Sequence, residues 1–144
     1  MMSRRTPGAI TTLAFLAAAA LALGAGRAVA LDPSPEAIEA AAHHARSHGV
    51  DDRLQLVRMA AGPDVLRLLP PPGFDLVLAN LDRTTLAPLL TPLREVLAEG
   101  GRLVVSGILE SEAEAFREEA AGAGLAVEME TVDDGWWSAR LRSA

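Results

Sequence analysis

The sequence predicts an α/β fold with a mainly parallel sheet that ends in one antiparallel hairpin. Three observations predict it. Helix-like and short apolar strand-like segments alternate along most of the chain. The run from Gly24 to Ala37 reads as helix stop, apolar strand, acid, then helix start. Two strand-like segments at the carboxyl end, 125–131 and 136–141, flank Asp133-Asp134-Gly135, a strong hairpin signal.

The elements follow in order. Ala and Leu dominate 11–23, which reads as helix stopped by Gly24. Residues 27–31 read as a buried strand. Ser34 suits a helix cap, Pro35 the first turn, and Glu36 the positive end of the dipole. That helix runs to about Ser47 and stops at Gly49. Residues 53–57 alternate as a strand. A loop at 60–72 holds one helical turn, 64–69, and ends at Pro70-Pro71-Pro72-Gly73. Residues 74–79 are the clearest buried strand, ending on Asn80. A helix over 84–98 must break or bend at Pro88 and Pro92. A turn at 99–101, a strand at 102–106 and an acidic-faced helix at 112–121 lead to the hairpin.

The chain has 144 residues, half of them apolar, so it is one domain or most of one with a core to bury. With no cysteine it can hold neither disulfides nor thiolate-bound metal. A net charge of -6 argues against broad nucleic-acid binding but not against docking on one basic protein patch.

The amino terminus admits two readings. Arg4 and Arg5 precede an uncharged run, 9–23, and Ala28-Val29-Ala30 resembles a signal-peptidase site. That suits an exported or tethered chain with residues 1–30 as its signal, although the run falls short of the roughly 20 residues of a spanning helix. The other reading is a buried helix of the α/β domain. It is preferred, because Asp32 and a helix start follow at βαβ spacing.

Asp32 stands where a strand ends and a helix begins. A carboxylate there can accept hydrogen bonds from both hydroxyls of a ribose. Its plainer role is a helix-entry acid. Asn80 ends the best strand, at the edge where open parallel sheets hold ligands. Its amide could orient an amine through its carbonyl, or simply cap the next turn. Ser106-Gly107 follows the next strand at the same edge, where glycine permits close approach. His44 and His48 have helical metal-ligand spacing but no obvious third ligand, and read as surface. Trp136 and Trp137 point to opposite faces, one core and one surface. Glu110, Glu112, Glu114, Glu118 and Glu119 read as a solvated face.

Four segments together resemble a known family: Ala30-Leu31-Asp32-Pro33-Ser34-Pro35-Glu36-Ala37, 74–81 with its Ala79-Asn80-Leu81, Gly100 to Leu109, and Gly135-Trp136-Trp137. They look like the catalytic domain of the PrmA family, which methylates a protein of the large ribosomal subunit. The resemblance implies a Rossmann-like sheet and S-adenosylmethionine as methyl donor. It implies that Asp32 holds the donor's ribose and that Asn80, as the catalytic and cofactor-side residue, lies beside the transferred methyl. It implies amino groups of the ribosomal protein as substrate, a cytoplasmic setting, and no metal, membrane or direct nucleic-acid contact.

This sequence departs from the family pattern in three ways. It shows no separate recognition domain. Residues 1–12, where the family has a strand and a glycine-rich turn, keep only Gly8, so 1–12 read as a degenerate or misassigned start and 13–144 as a partial methyltransferase domain lacking the first central strand. Ser34 and Asp82 replace a usual acid and a usual apolar residue. An inactive, degenerate domain of the same fold is the alternative these departures raise.

Overall fold

The chain forms two units that divide after Ala61. The computed structural model describes Leu21, Gly24 and residues 26–58 of the first, and 62–67 and 73–144 of the second.

In the first unit, strand β1 (Ala28–Leu31) pairs in parallel with β2 (Leu54–Val57), across helix α1 (Pro35–Ser47). α1 starts as its sequence dictates. Ser34 Oγ accepts from the Ala37 N–H at 3.3 Å, and Pro35 takes the first turn. The chain leaves the helix at Gly49, whose φ of +66° suits glycine. Ala37, Ala41 and Ala45 recur every fourth residue and are buried on one helix face. Leu21, helical and 1% exposed, packs with Ala45 and Val50, and Ala28 and Leu54 border that cluster.

Leu21 is interior, in keeping with the buried-helix reading, and Ala28-Val29-Ala30 lies in β1. Residues 1–20 lie outside the described residues, and with them the expected degenerate start at 1–12, Gly8 and most of the uncharged run.

The second unit holds α2 (Pro63–Arg67), β3 (Phe74–Asn80), α3 (Arg83–Leu86), a 3₁₀ turn (Ala87–Leu89), α4 (Leu90–Val96), β4 (Leu97–Leu109), α5 (Ala113–Gly122), β5 (Leu125–Asp133) and β6 (Trp136–Ser143). The sheet order is β3-β4-β6-β5, parallel between β3 and β4 and antiparallel elsewhere. Pro88 falls in the 3₁₀ turn, the expected break. Asp134 and Gly135 both have positive φ, 48° and 78°, which suits a two-residue hairpin turn. Among the described residues, β1 pairs with β2 and β3 with β4.

One boundary needs correcting. A turn was expected at 99–101 and a strand only from Arg102. Instead β4 begins at Leu97, and the extra residues form an irregularity opposite Phe74 and Leu76. Gly100 at φ +75° supplies the bend without ending the strand.

The sheet's two faces differ. On one, Leu103, Val105 and Ile108 of β4 meet Leu141, Ala139 and Trp137 of β6, all at most 4% exposed. Phe116 of α5 is fully buried, with its ring 5.4 Å from Trp137 in an edge-on contact. The opposite face carries half-exposed Leu76, Leu78, Leu109, Met129 and Trp136.

Candidate functional site

Asn80 and Ser106 end up side by side because β3 and β4 run parallel in that register. The Ser106 hydroxyl donates to Asn80 Oδ1 at 3.2 Å, and the Leu81 N–H donates to the Ser106 carbonyl at 3.1 Å. Asn80 Oδ1 keeps a second lone pair for another donor. Gly107 closes the arrangement. Its φ is +88°, and a Cβ there would stand 2.8 Å from Asn80 Oδ1 and 3.0 Å from the Leu81 carbonyl. Only glycine lets β4 pass so close to this amide.

The plain capping role for Asn80 is excluded, because Asp82 caps α3. Its Oδ1 accepts from the Thr85 N–H at 2.9 Å and its Oδ2 from the Thr85 hydroxyl at 2.9 Å. The Thr85 N–H, then the hydroxyl, hold the Asp82 carboxyl below the ordinary carboxylate range. The departure at Asp82 therefore has a local structural cause.

Asp32 belongs to the first unit. It follows β1 directly, is only 9% exposed, and its N–H extends the ladder to the Val57 carbonyl at 3.2 Å. Its Oδ1 accepts from the Ser34 N–H at 2.8 Å. The helix-entry role is thus real, and it also fixes the carboxylate at the carboxyl end of a parallel strand. Glu36, in the first turn of α1, is held below its ordinary range by its own backbone N–H and by the Ser34 hydroxyl.

Other candidates resolve differently. His44 and His48 stack with ring centres 4.9 Å apart, and His48 Nδ1 lies 2.8 Å from the His44 carbonyl. Among the described residues, no group of three metal-ligating side chains forms. Glu119 is not merely solvated: Arg83 binds both its oxygens, at 2.6 and 3.2 Å, joining the start of α3 to α5. The sequence also hid Glu128, which gathers Arg102, Arg140 and Arg142 at 2.7, 3.2 and 3.5 Å. The alternation of Arg140 and Arg142 on one strand was the available clue.

The model of the ribosomal protein L11 methyltransferase (PrmA) family matches residues 11–143. The chain belongs to this family. It is 42% identical over 104 residues to the ribosomal protein L11 methyltransferase of Enterobacter sp. (strain 638), covering 72% of this chain and 33% of that protein. To the protein of the same name from Ectopseudomonas mendocina (strain ymp) it is 37% identical over 121 residues, covering 84% and 39%. It therefore spans about a third of the length of these relatives, 33% and 39%. The crystal structure of the ribosomal protein L11 methylase from Lactobacillus delbrueckii subsp. bulgaricus superposes with a TM-score of 0.81 at 25% identity, covering 92% of this chain and 67% of that one. The fold is the Rossmann-like sheet of S-adenosylmethionine-dependent methyltransferases. The PrmA resemblance seen in the sequence is thereby established. No described helix is long and apolar enough to cross a membrane.

Proposed function

We propose that this chain performs S-adenosylmethionine-dependent N-methylation, with amino groups of a large-subunit ribosomal protein as acceptors, in the cytoplasm. The observation that carries this reading is the Asn80–Ser106 pair, 3.2 Å apart over Gly107, at the carboxyl ends of two parallel strands of a PrmA-family fold.

The residues present fit the donor. Asp32 offers a nearly buried acceptor at a strand end, suited to ribose hydroxyls. Gly107 leaves the space a side chain would fill beside Asn80. When bound, S-adenosylmethionine supplies an electrophilic methyl group on its sulfonium. The chain need not provide a nucleophile of its own. Asn80 Oδ1 accepts a hydrogen bond from the neutral acceptor amine and orients its lone pair in line with the methyl. Ser106 holds the amide rotamer so that the carbonyl, not the NH₂, faces the amine.

The test is mass spectrometry of a lysine-bearing large-subunit ribosomal protein after incubation with the chain and donor. The expected result is stepwise methylation, slowed about 100-fold in Asn80→Ala, the scale of a mispositioned reactant. Methylation at an equal rate by Asn80→Ala would refute the assignment of Asn80.

A further inference from the structure

Glu128 of β5 joins three strands by charge. Its Oε2 accepts from Nε of Arg102 on β4 at 2.7 Å and from Nε of Arg140 on β6 at 3.2 Å, and Arg142 Nε lies 3.5 Å from its Oε1. Leu103 and Leu141 are fully buried on one face of the sheet, so Arg102, Arg140 and Arg142, each next to one of them, project onto the open face. Arg102 pairs with Leu76, four residues before Asn80 meets Ser106. The cluster therefore stands about 13 Å along the strands from that pair.

The carboxylate takes only the Nε edge of each guanidinium. Arg102 Nη1 donates to the Gly100 and Gly101 carbonyls, and Arg142 Nη1 to the Ser143 carbonyl. Both side chains are thus held in place before any ligand arrives. Among the described residues, Nη2 of Arg102 and of Arg142 meets no acceptor. A cavity of about 230 Å³ opens beside them, with Arg102, Arg142, Glu99, Gly100, Gly101 and Ser143 in its lining. Pockets for drug-sized ligands run to about 300–1,000 Å³, so this one suits a small ion.

Charge decides the sign of the occupant. Three arginines share one carboxylate, which leaves two positive charges over, and exposed Glu99 offsets one of them. The local excess is positive in a chain of net charge -6. Two planar guanidinium groups with spare N–H donors match a tetrahedral oxyanion, whose several oxygens accept from both at once.

We propose that Arg102 and Arg142, held by Glu128, bind a phosphate group in this cavity, at a site separate from the Asn80–Ser106 pair. The group is free phosphate or the end of a small phosphate monoester. Its binding does not depend on methyl transfer.

The experiment is a titration of the full chain, labelled with ¹⁵N, with inorganic phosphate at constant ionic strength and without donor. The expected result is a saturable shift of the Arg102 and Arg142 Nε–H signals and of the Gly100 and Gly101 amides, with the Asn80 side-chain amide unmoved. Arg142→Gln, at a half-exposed position and folded by circular dichroism, weakens binding at least tenfold. Glu99→Gln tightens it roughly twofold, the scale of one charge removed across solvent. Arg117→Gln, whose arginine pairs with Glu130 instead, leaves it unchanged. Equal shifts with chloride, shifts spread evenly over the arginines, or undiminished binding by Arg142→Gln overturn the site and leave the cluster a structural tie between strands. Weaker binding by Glu99→Gln overturns the cavity as the place of binding. A second titration with glycerol phosphate separates the two sources: movement of the same signals supports an esterified phosphate, and movement with inorganic phosphate alone supports the free ion.

Discussion

Asn80 and Ser106, 26 residues apart in sequence, meet side chain to side chain at 3.2 Å where their parallel strands end. The contact depends on a third position. Gly107→Ala places a methyl 2.8 Å from Asn80 Oδ1 at a backbone φ of +88°. The expected cost is about 1–3 kcal/mol of stability from the strained backbone. Urea denaturation measures it, and a displaced Asn80 side-chain amide signal by NMR shows where the strain goes.

The adjacent tryptophans give a paired prediction. Trp137 is 1% exposed and packs on Phe116, whereas Trp136 is 51% exposed. Trp137→Ala costs about 3–5 kcal/mol, while Trp136→Ala stays within about 0.5 kcal/mol. Comparable losses from the two variants in chemical denaturation would contradict this division of faces.

Asp82 caps α3 through the Thr85 N–H at 2.9 Å. Asp82→Ala removes that bond and costs about 1 kcal/mol, and Asp82→Asn retains most of it. Thermal denaturation of the two variants side by side checks the cap.

Acid sensitivity follows from Arg117 and Glu130, joined at 2.9 and 3.0 Å. The arginine holds the Glu130 carboxyl below its ordinary value of 4.5. A carboxylate depressed by folding stabilises above its unfolded value and loses that contribution as pH falls through the folded one. The stability gap between wild type and Glu130→Gln is therefore full above about pH 5 and closes as pH drops below about 4. Denaturation midpoints measured across that window give the profile. A gap that widens toward acid contradicts the pairing.

Much of the fold was legible because its signals are local. Ser34-Pro35-Glu36 announces a helix start, 74–79 a strand, and Asp134-Gly135 a tight hairpin; the burial expected of 74–79 is not met, since Leu76 and Leu78 lie half-exposed on the open face. Gly100-Gly101 misled because a glycine at positive φ serves a turn and a strand irregularity equally well. The candidate site was legible at Asn80 and Asp32 as residue types at strand ends. It was not legible that Asp82 takes the capping role from Asn80, since two polar residues in one short turn compete for it. Nor could spacing show the Arg83–Glu119 pair, which closes across 36 residues only once α3 and α5 are in place.

Donor binding by the folded chain is the most direct test. Titration calorimetry with S-adenosylmethionine is predicted to show saturable binding that weakens at least tenfold in Asp32→Ala, with the variant folded by circular dichroism. No binding by folded wild type, or equal affinity in Asp32→Ala, would contradict the account.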